Sequence, residues 1–249
     1  MTKITAIIPT LNEEIHIEEA IKSVGFADEI IVIDSYSTDK TLEIAEKLNV
    51  KIIKRKFDDF SSQKNFAIQK AKHDWIYILD ADERVTSEVE KEILEAVKNP
   101  NGCVGFYVRR TFYFAGKKIN YSGWQRDKVV RLFLKTECKY QGVVHETIKT
   151  NGELGFFKGK IDHFSYRNYD HYISKLNHYA ALRAKQLHEK KKKVNIYHII
   201  IKPVVRFFIH YVIRLGFLDG FTGFLVAKTQ AYGVFTRYVK LWLLNKKIS

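Results

Sequence analysis

Trp75-Ile76-Tyr77-Ile78-Leu79 is an unbroken run of five apolar or aromatic side chains that stops against Asp80, Asp82 and Glu83, three carboxylates within four positions. A run this short, with no polar face, predicts a strand buried on both sides rather than a helix. The carboxylates then stand where the strand leaves the sheet, and in open α/β sheets ligands bind at this carboxyl edge. Like charges so close together repel unless a cation or a proton lies between them. Asp80 and Asp82, two residues apart on an extended backbone, can both turn toward one hard cation, which takes oxygen ligands. A solvated acidic turn is the alternative for the same residues.

The chain before and after this stretch alternates strands with helices. Lys3–Ile8 reads as a first strand closed by Pro9-Thr10, and Asn12 is placed to cap the next helix, with Glu13 and Glu14 in its first turn. Glu29–Ile33 is a second strand, ending on Asp34 and a polar loop before a helix over Lys40–Leu48. Val50–Arg55, a helix over Ser62–Ala71, the Trp75–Leu79 strand and a helix opened by Ser87-x-x-Glu90 as a capping box complete the series. Such alternation means βαβ units and a mainly parallel sheet with helices on both faces. The rhythm then changes. Gly105–Phe114, Lys128–Leu134, Tyr140–Ile148 and Gly155–His163 look extended, a mixed extension of the parallel core. From about Tyr169 the spacing is helical, which predicts a catalytic-type domain over 1–168 and a helical region over 169–249.

Charge divides the chain unevenly. Residues 1–100 hold 14 Lys and Arg against 20 Asp and Glu, whereas residues 101–249 hold 28 against 8. A basic excess of that size points to an anionic partner, nucleic acid or acidic lipid; no base-reading module is recognisable, so nucleic acid is not expected. Cys103 and Cys138 are the only cysteines and lack metal-site spacing. The short, Pro-interrupted apolar start is not expected to act as a signal peptide, and a reducing cytoplasmic setting is the expectation. Ile196–Leu218 is apolar but carries Lys202, Arg206, His210 and Arg214, charges too costly at the centre of a spanning helix. Their four-residue recurrence makes a basic stripe beside bulky apolar residues, the pattern of a helix lying in a membrane interface. Lys190–Lys193, Trp242 and Lys246-Lys247 would add attraction to anionic lipid. Packing of these helices on the catalytic domain, or on a second copy in a homo-oligomer, is the alternative.

No Gly-x-Gly-x-x-Gly follows the first strand, so a dinucleotide site is not expected. Polar groups instead gather at successive strand ends: Thr10, Asn12 and Glu13, then Asp34, then Asp80 and Asp82. Taken together, Ile7-Ile8-Pro9-Thr10-Leu11-Asn12-Glu13-Glu14, Ile31-Val32-Ile33-Asp34-Ser35-Tyr36-Ser37-Thr38-Asp39, Lys64-Asn65-Phe66-Ala67 and Leu79-Asp80-Ala81-Asp82-Glu83 resemble the family 2 glycosyltransferases of GT-A fold. Gly123-Trp124, Arg131-Leu132-Phe133, Val144-His145-Glu146 and Asp162-His163-Phe164-Ser165-Tyr166 resemble the branch containing lipopolysaccharide-core β-glucosyltransferases. One departure is Ser35, where many such enzymes carry a second Asp.

The resemblance implies a role for each residue. Asp34, with Thr10, Leu11 and Glu13, would hold the base or ribose of a nucleotide sugar, and Lys64, Asp80 and Ala81 would complete the donor site. Asp82, with Asp80 and His163, would bind Mg²⁺ or Mn²⁺, a Lewis acid for the leaving diphosphate. Neutral imidazole suits Mn²⁺ better than Mg²⁺. Glu146 is the expected general base, drawing the proton from the acceptor hydroxyl as that oxygen attacks the sugar; Glu153 and Asp127 compete for the role. Trp124, Asp127, Arg131 and His145 are expected at the acceptor side. The implied activity is inverting transfer of a hexose, from a UDP-sugar, to a lipopolysaccharide-core or other cell-surface glycan or glycolipid at the inner face of the cytoplasmic membrane. A polyprenyl-phosphate sugar synthase and a non-catalytic membrane-surface adaptor are the rival readings.

Overall fold

A computed structural model describes residues 2–114, 116–142, 147–165 and 169–248. It divides into two compact units, one of Met1–Arg110 with Asp127–His163, the other of Thr111–Arg126 with Phe164–Ser249. The second unit therefore takes in a segment, 111–126, that the sequence reading had assigned to the catalytic domain.

The first unit opens with β1 (Ile4–Thr10), α1 (Ile17–Ser23), β2 (Glu29–Asp34), α2 (Thr41–Glu46), β3 (Lys51–Lys54), α3 (Phe60–Gln69) and β4 (Trp75–Ile78). After them come β5 (Glu83–Arg84), α4 (Ser87–Lys98) and β6 (Cys103–Phe114), whose last residues run into the second unit along with β7 (Lys117–Ile119). The first unit resumes with β8 (Lys128–Leu134), β9 (Cys138–Gln141), β10 (Thr147–Thr150) and β11 (Glu153–His163). Among the described residues the main sheet has the order β3-β2-β1-β4-β8-β6-β11-β5, with β7 on β6, and β10-β9 forms a separate pair. β1, β2, β3 and β4 are parallel; β8 joins β4 and β6 antiparallel, and β5 joins β11 antiparallel. The expected parallel core with a mixed extension is thus present.

Alternation within the buried strands explains why they read as continuous apolar runs. Ile4, Ala6 and Ile8, with Trp75, Tyr77 and Leu79, pack into one core, while Ile7, Ile31, Ile33, Ile76 and Ile78 pack into another. Successive side chains leave a strand on opposite faces, so two cores require both faces to be apolar.

Helix starts differ from the sequence reading in three places. Asn12 takes a left-handed conformation (φ 56°) rather than capping α1, which begins only at Ile17. Its carboxamide oxygen instead accepts from Thr38 N–H at 2.8 Å. α3 begins at Phe60, not Ser62, because Asp59 caps it by accepting from Ser62 N–H. α4 is capped by Thr86, whose Oγ1 accepts from Val89 N–H at 3.4 Å and donates to the Lys160 carbonyl at 3.0 Å. The tie to β11 fixes Thr86 as the cap and moves the helix start off the Ser87 box.

The second unit contains α5 (Tyr169–Glu189), α6 (Lys202–Phe208) and α7 (Gly220–Lys246). Tyr172 of α5 and Val226 of α7 pack with Phe114 and Ile119, and Ala184 packs with Val234, Tyr238 and Leu241. α6 is flanked by wide π turns at Tyr197–Ile201 and Ile209–Ile213. The basic stripe expected to meet lipid turns inward here. His210 is buried, Lys202 donates to Tyr238 Oη at 2.8 Å, and Arg214 lies 3.3 Å from the His210 ring. No described helix is long and apolar enough to cross a membrane.

Candidate active site

The carboxyl ends of β1 and β2 are stitched together by their loops. Asn12 N–H donates to Ser37 Oγ (2.9 Å), Glu13 N–H to Thr41 Oγ1 (2.8 Å) and Glu14 N–H to Asp39 (3.1 Å). Asp34 ends β2 fully buried, accepting from Ser37 N–H at 2.9 Å and from Ser37 Oγ at 2.5 Å. Thr10 ends β1 beside it in register; its hydroxyl is buried and has no hydrogen-bond partner among the described residues. A buried hydroxyl without a partner is costly and marks a place where a ligand could complete the bonding. Leu11 is exposed and Glu13 half-buried at the same edge. Gln63 of α3, which the sequence reading overlooked, reaches Ser35 Oγ at 2.7 Å and so holds the departing residue Ser35 in place.

At the end of β4, Asp80–Glu83 form a tight turn closed by Glu83 N–H to the Asp80 carbonyl (2.9 Å). Arg84 braces it, donating to the Ala81 and Glu83 carbonyls and to the His16 carbonyl ahead of α1. Ala81 is buried in the turn. Three cations surround the carboxylates. Arg131, from β8, donates to Asp80 Oδ2 and Glu83 Oε1, both at 2.5 Å. Lys64, from α3, stands 3.7 Å from Asp80 Oδ1 and 5.0 Å from the Tyr140 ring centre. Arg110, from β6, reaches Glu83 Oε1 at 3.3 Å and pairs with Asp127. Burial by itself would raise the Asp80 carboxyl, but Arg131 and Lys64 prevail and hold it far below the usual carboxylate range. Burial works against the Arg131 cation in the same way, and Asp80 and Glu83 more than offset it.

Arg131 was expected at the acceptor side. It is instead buried, with its guanidinium engaged by Asp80 and Glu83, because β8 lies beside β4 in the sheet. Asp127 is paired with Arg110 rather than standing alone as a base. Trp124 belongs to the second unit, edge-on to Phe112 and Tyr172. His145 and Glu146 lie outside the described residues. Besides Gln63, Arg110 is a site residue that the sequence alone does not mark, and Glu83, one of the three clustered carboxylates, carries no expected role. The three-carboxylate cluster was a signal for Glu83, whereas nothing in the spacing marks Arg110.

The pairing of β5 with β11 sets His163 opposite Glu83, and His163 Nε2 comes within 3.4 Å of Asp82 Oδ1. One carboxylate oxygen and one imidazole nitrogen converging this closely fit a borderline cation such as Mn²⁺. Among the described residues no three His, Cys, Asp or Glu side chains group to hold a metal.

The model of the family described as "Glycosyl transferase family 2" matches residues 5–172. An uncharacterized glycosyltransferase from Rickettsia typhi is 30% identical over 261 residues, covering 99% of this chain and 89% of that protein. The lipopolysaccharide core biosynthesis glycosyltransferase LpsC of Rhizobium meliloti is 28% identical over 252 residues, covering 96% and 92%. Among solved structures, residues 1–349 of TarS from S. aureus, in complex with UDP-GlcNAc, superpose with a TM-score of 0.50 at 14% identity, covering 99% of this chain and 91% of that one. The sheet order, the loops gathered at its carboxyl edge and the family match agree: the chain has the GT-A fold and belongs to glycosyltransferase family 2.

Proposed function

We propose that this glycosyltransferase moves a hexose, with inversion and with the help of a divalent cation, from a UDP-sugar to a lipopolysaccharide-core or other cell-surface glycan at the inner face of the cytoplasmic membrane. The observation that carries the donor half is the meeting of Asp82 and His163 beside a cation-held Asp80 at the carboxyl edge of the sheet. LpsC, similar along almost its whole length, supports the acceptor class, and the UDP-GlcNAc held by TarS supports a uridine donor.

In this reading Thr10 and Asp34 line the base and ribose pocket, and Asp82 and His163 hold Mn²⁺ or Mg²⁺. The ion, when bound, neutralises charge growing on the leaving diphosphate. Asp80, kept ionised by Arg131 and Lys64, serves as a hydrogen-bond acceptor for the ribose more readily than as a metal ligand, since both of its oxygens face cations. Lys64 stands 3.7 Å from the same carboxylate, and its contact with the donor rests on the family resemblance. Glu146 takes the proton from the acceptor hydroxyl, a role resting on the family resemblance. Asp82→Ala abolishes transfer in this account while the fold persists; undiminished turnover refutes the metal assignment. Glu146→Gln stops transfer but spares donor binding. Normal kinetics in that variant moves the base elsewhere, or makes the acceptor a phosphate that needs none.

A further inference from the structure

Within the second unit the segment 196–218 has two stripes of equal period. Lys202, Arg206, His210 and Arg214 form the inner one. Ile200, Val204, Phe208 and Val212 recur every four residues as well, offset by two positions, and are 51%, 51%, 56% and 43% exposed. Two residues along a helix is about 200° of rotation, so the stripes lie on opposite sides. In a regular α-helix a four-residue repeat drifts by about 40° per step. The π turns on either side of α6 carry more residues per turn and so reduce that drift, keeping each stripe on its own side. The outcome reverses ordinary amphipathicity: the charges are inside and the hydrocarbon is outside. Ile213 and Phe221, each 74% exposed, add to the apolar surface that the second unit presents to solvent.

We infer that this ridge lies in the interface of an anionic phospholipid bilayer. Charge decides between a bilayer and a second copy of the chain. Residues 190–249 carry twelve Lys and Arg but a single acid, Asp219. Asp219 is engaged by the backbone N–H groups of Asn120 and Tyr121, at 3.1 and 2.9 Å. Two such surfaces repel each other, whereas a bilayer offers hydrocarbon to the ridge and phosphates to the exposed Lys190–Lys193, Lys228, Lys246 and Lys247. Since no described helix is long and apolar enough to span, the segment lies on the membrane. A cleft of about 530 Å³ lined by Pro203, Val204, Phe207, Phe224 and Phe235, with Lys228 among its walls, continues the ridge and suits an acyl chain whose phosphate meets that lysine.

This inference is independent of the donor chemistry, and its test reads lipid alone. The full chain is floated with phosphatidylcholine vesicles, with and without about one third phosphatidylglycerol. Wild type should rise with the anionic vesicles and much less with the neutral ones. Val204→Glu/Phe208→Glu should partition at least about tenfold more weakly, with an unchanged circular dichroism melt. If that pair disturbs folding, Ile200→Ser/Ile213→Ser, which only removes apolar contact, carries the same expectation. Unchanged flotation of a folded variant overturns the proposal, as does equal binding to neutral vesicles. So does a concentration-dependent dimer in sedimentation velocity that the same substitutions abolish, because the ridge would then cover a second copy.

Discussion

Glu83 is fully buried and ties two arginines to the turn that carries Asp80 and Asp82. Removing one partner from a buried ion cluster leaves the others uncompensated, typically at a cost of about 3–5 kcal/mol. Glu83→Gln is therefore expected to destabilise the first unit by that order, read as a lowered urea midpoint, and to weaken UDP binding by loosening Arg131. A variant with wild-type stability would show that water can replace the carboxylate. Arg131→Lys keeps the charge, but the shorter side chain falls short of the position of Nη2, the single nitrogen that donates to Asp80 and Glu83 at once. It should weaken UDP binding more than it weakens the fold. Calorimetry set beside a thermal melt separates the two effects. Arg131 also shows where the sequence falls short. The side chain was legible as important, but its partners are Asp80 in the turn after β4 and Glu83 in β5, some fifty residues earlier, and the place of β8 beside β4 brings Arg131 to them.

Strands and helices were legible to different degrees. β1, β2 and β4 are buried on both faces, so their apolar runs are unambiguous. Helix starts depend on single hydrogen bonds, and there the sequence offers rival caps. Thr86 and Ser87 are adjacent hydroxyls, and the contact from Thr86 to the Lys160 carbonyl chooses between them. Thr86→Ala should cost about 1 kcal/mol in a urea titration, and Ser87→Ala much less; the reverse order would restore the capping box. The stripe over 202–214 was legible as a period of four. Its direction was not, because π turns are invisible to a pattern count that assumes regular α-helix. Its inward turn comes from partners on other segments, Tyr238 accepting from Lys202 and Ser122 beside the buried His210.

At the scale of the whole molecule, acid should act on the second unit through His210. Burial, with Arg206 and Arg214 alongside, lowers its folded pKa to about 4. The unfolded chain takes up this proton near pH 6.5. Stability should therefore fall as pH drops from about 6.5 to about 4 and level off below, a loss of about 3 kcal/mol; above pH 6.5 the ring is neutral in both states and adds no slope. Thermal melts of wild type and His210→Gln at pH 7.5 and 4.5 test this, since the variant should lose that part of the acid sensitivity. Equal slopes would mean that His210 is protonated in the fold. For the transferase as a whole, the proposed function requires that the edge of the first unit's sheet grip a nucleotide diphosphate through a cation held by Asp82 and His163. Titrating UDP into wild type and Asp82→Ala, each with and without Mn²⁺, tests it most directly. The account predicts binding that needs Mn²⁺ in wild type and fails in the variant; equal affinity in all four titrations would contradict it.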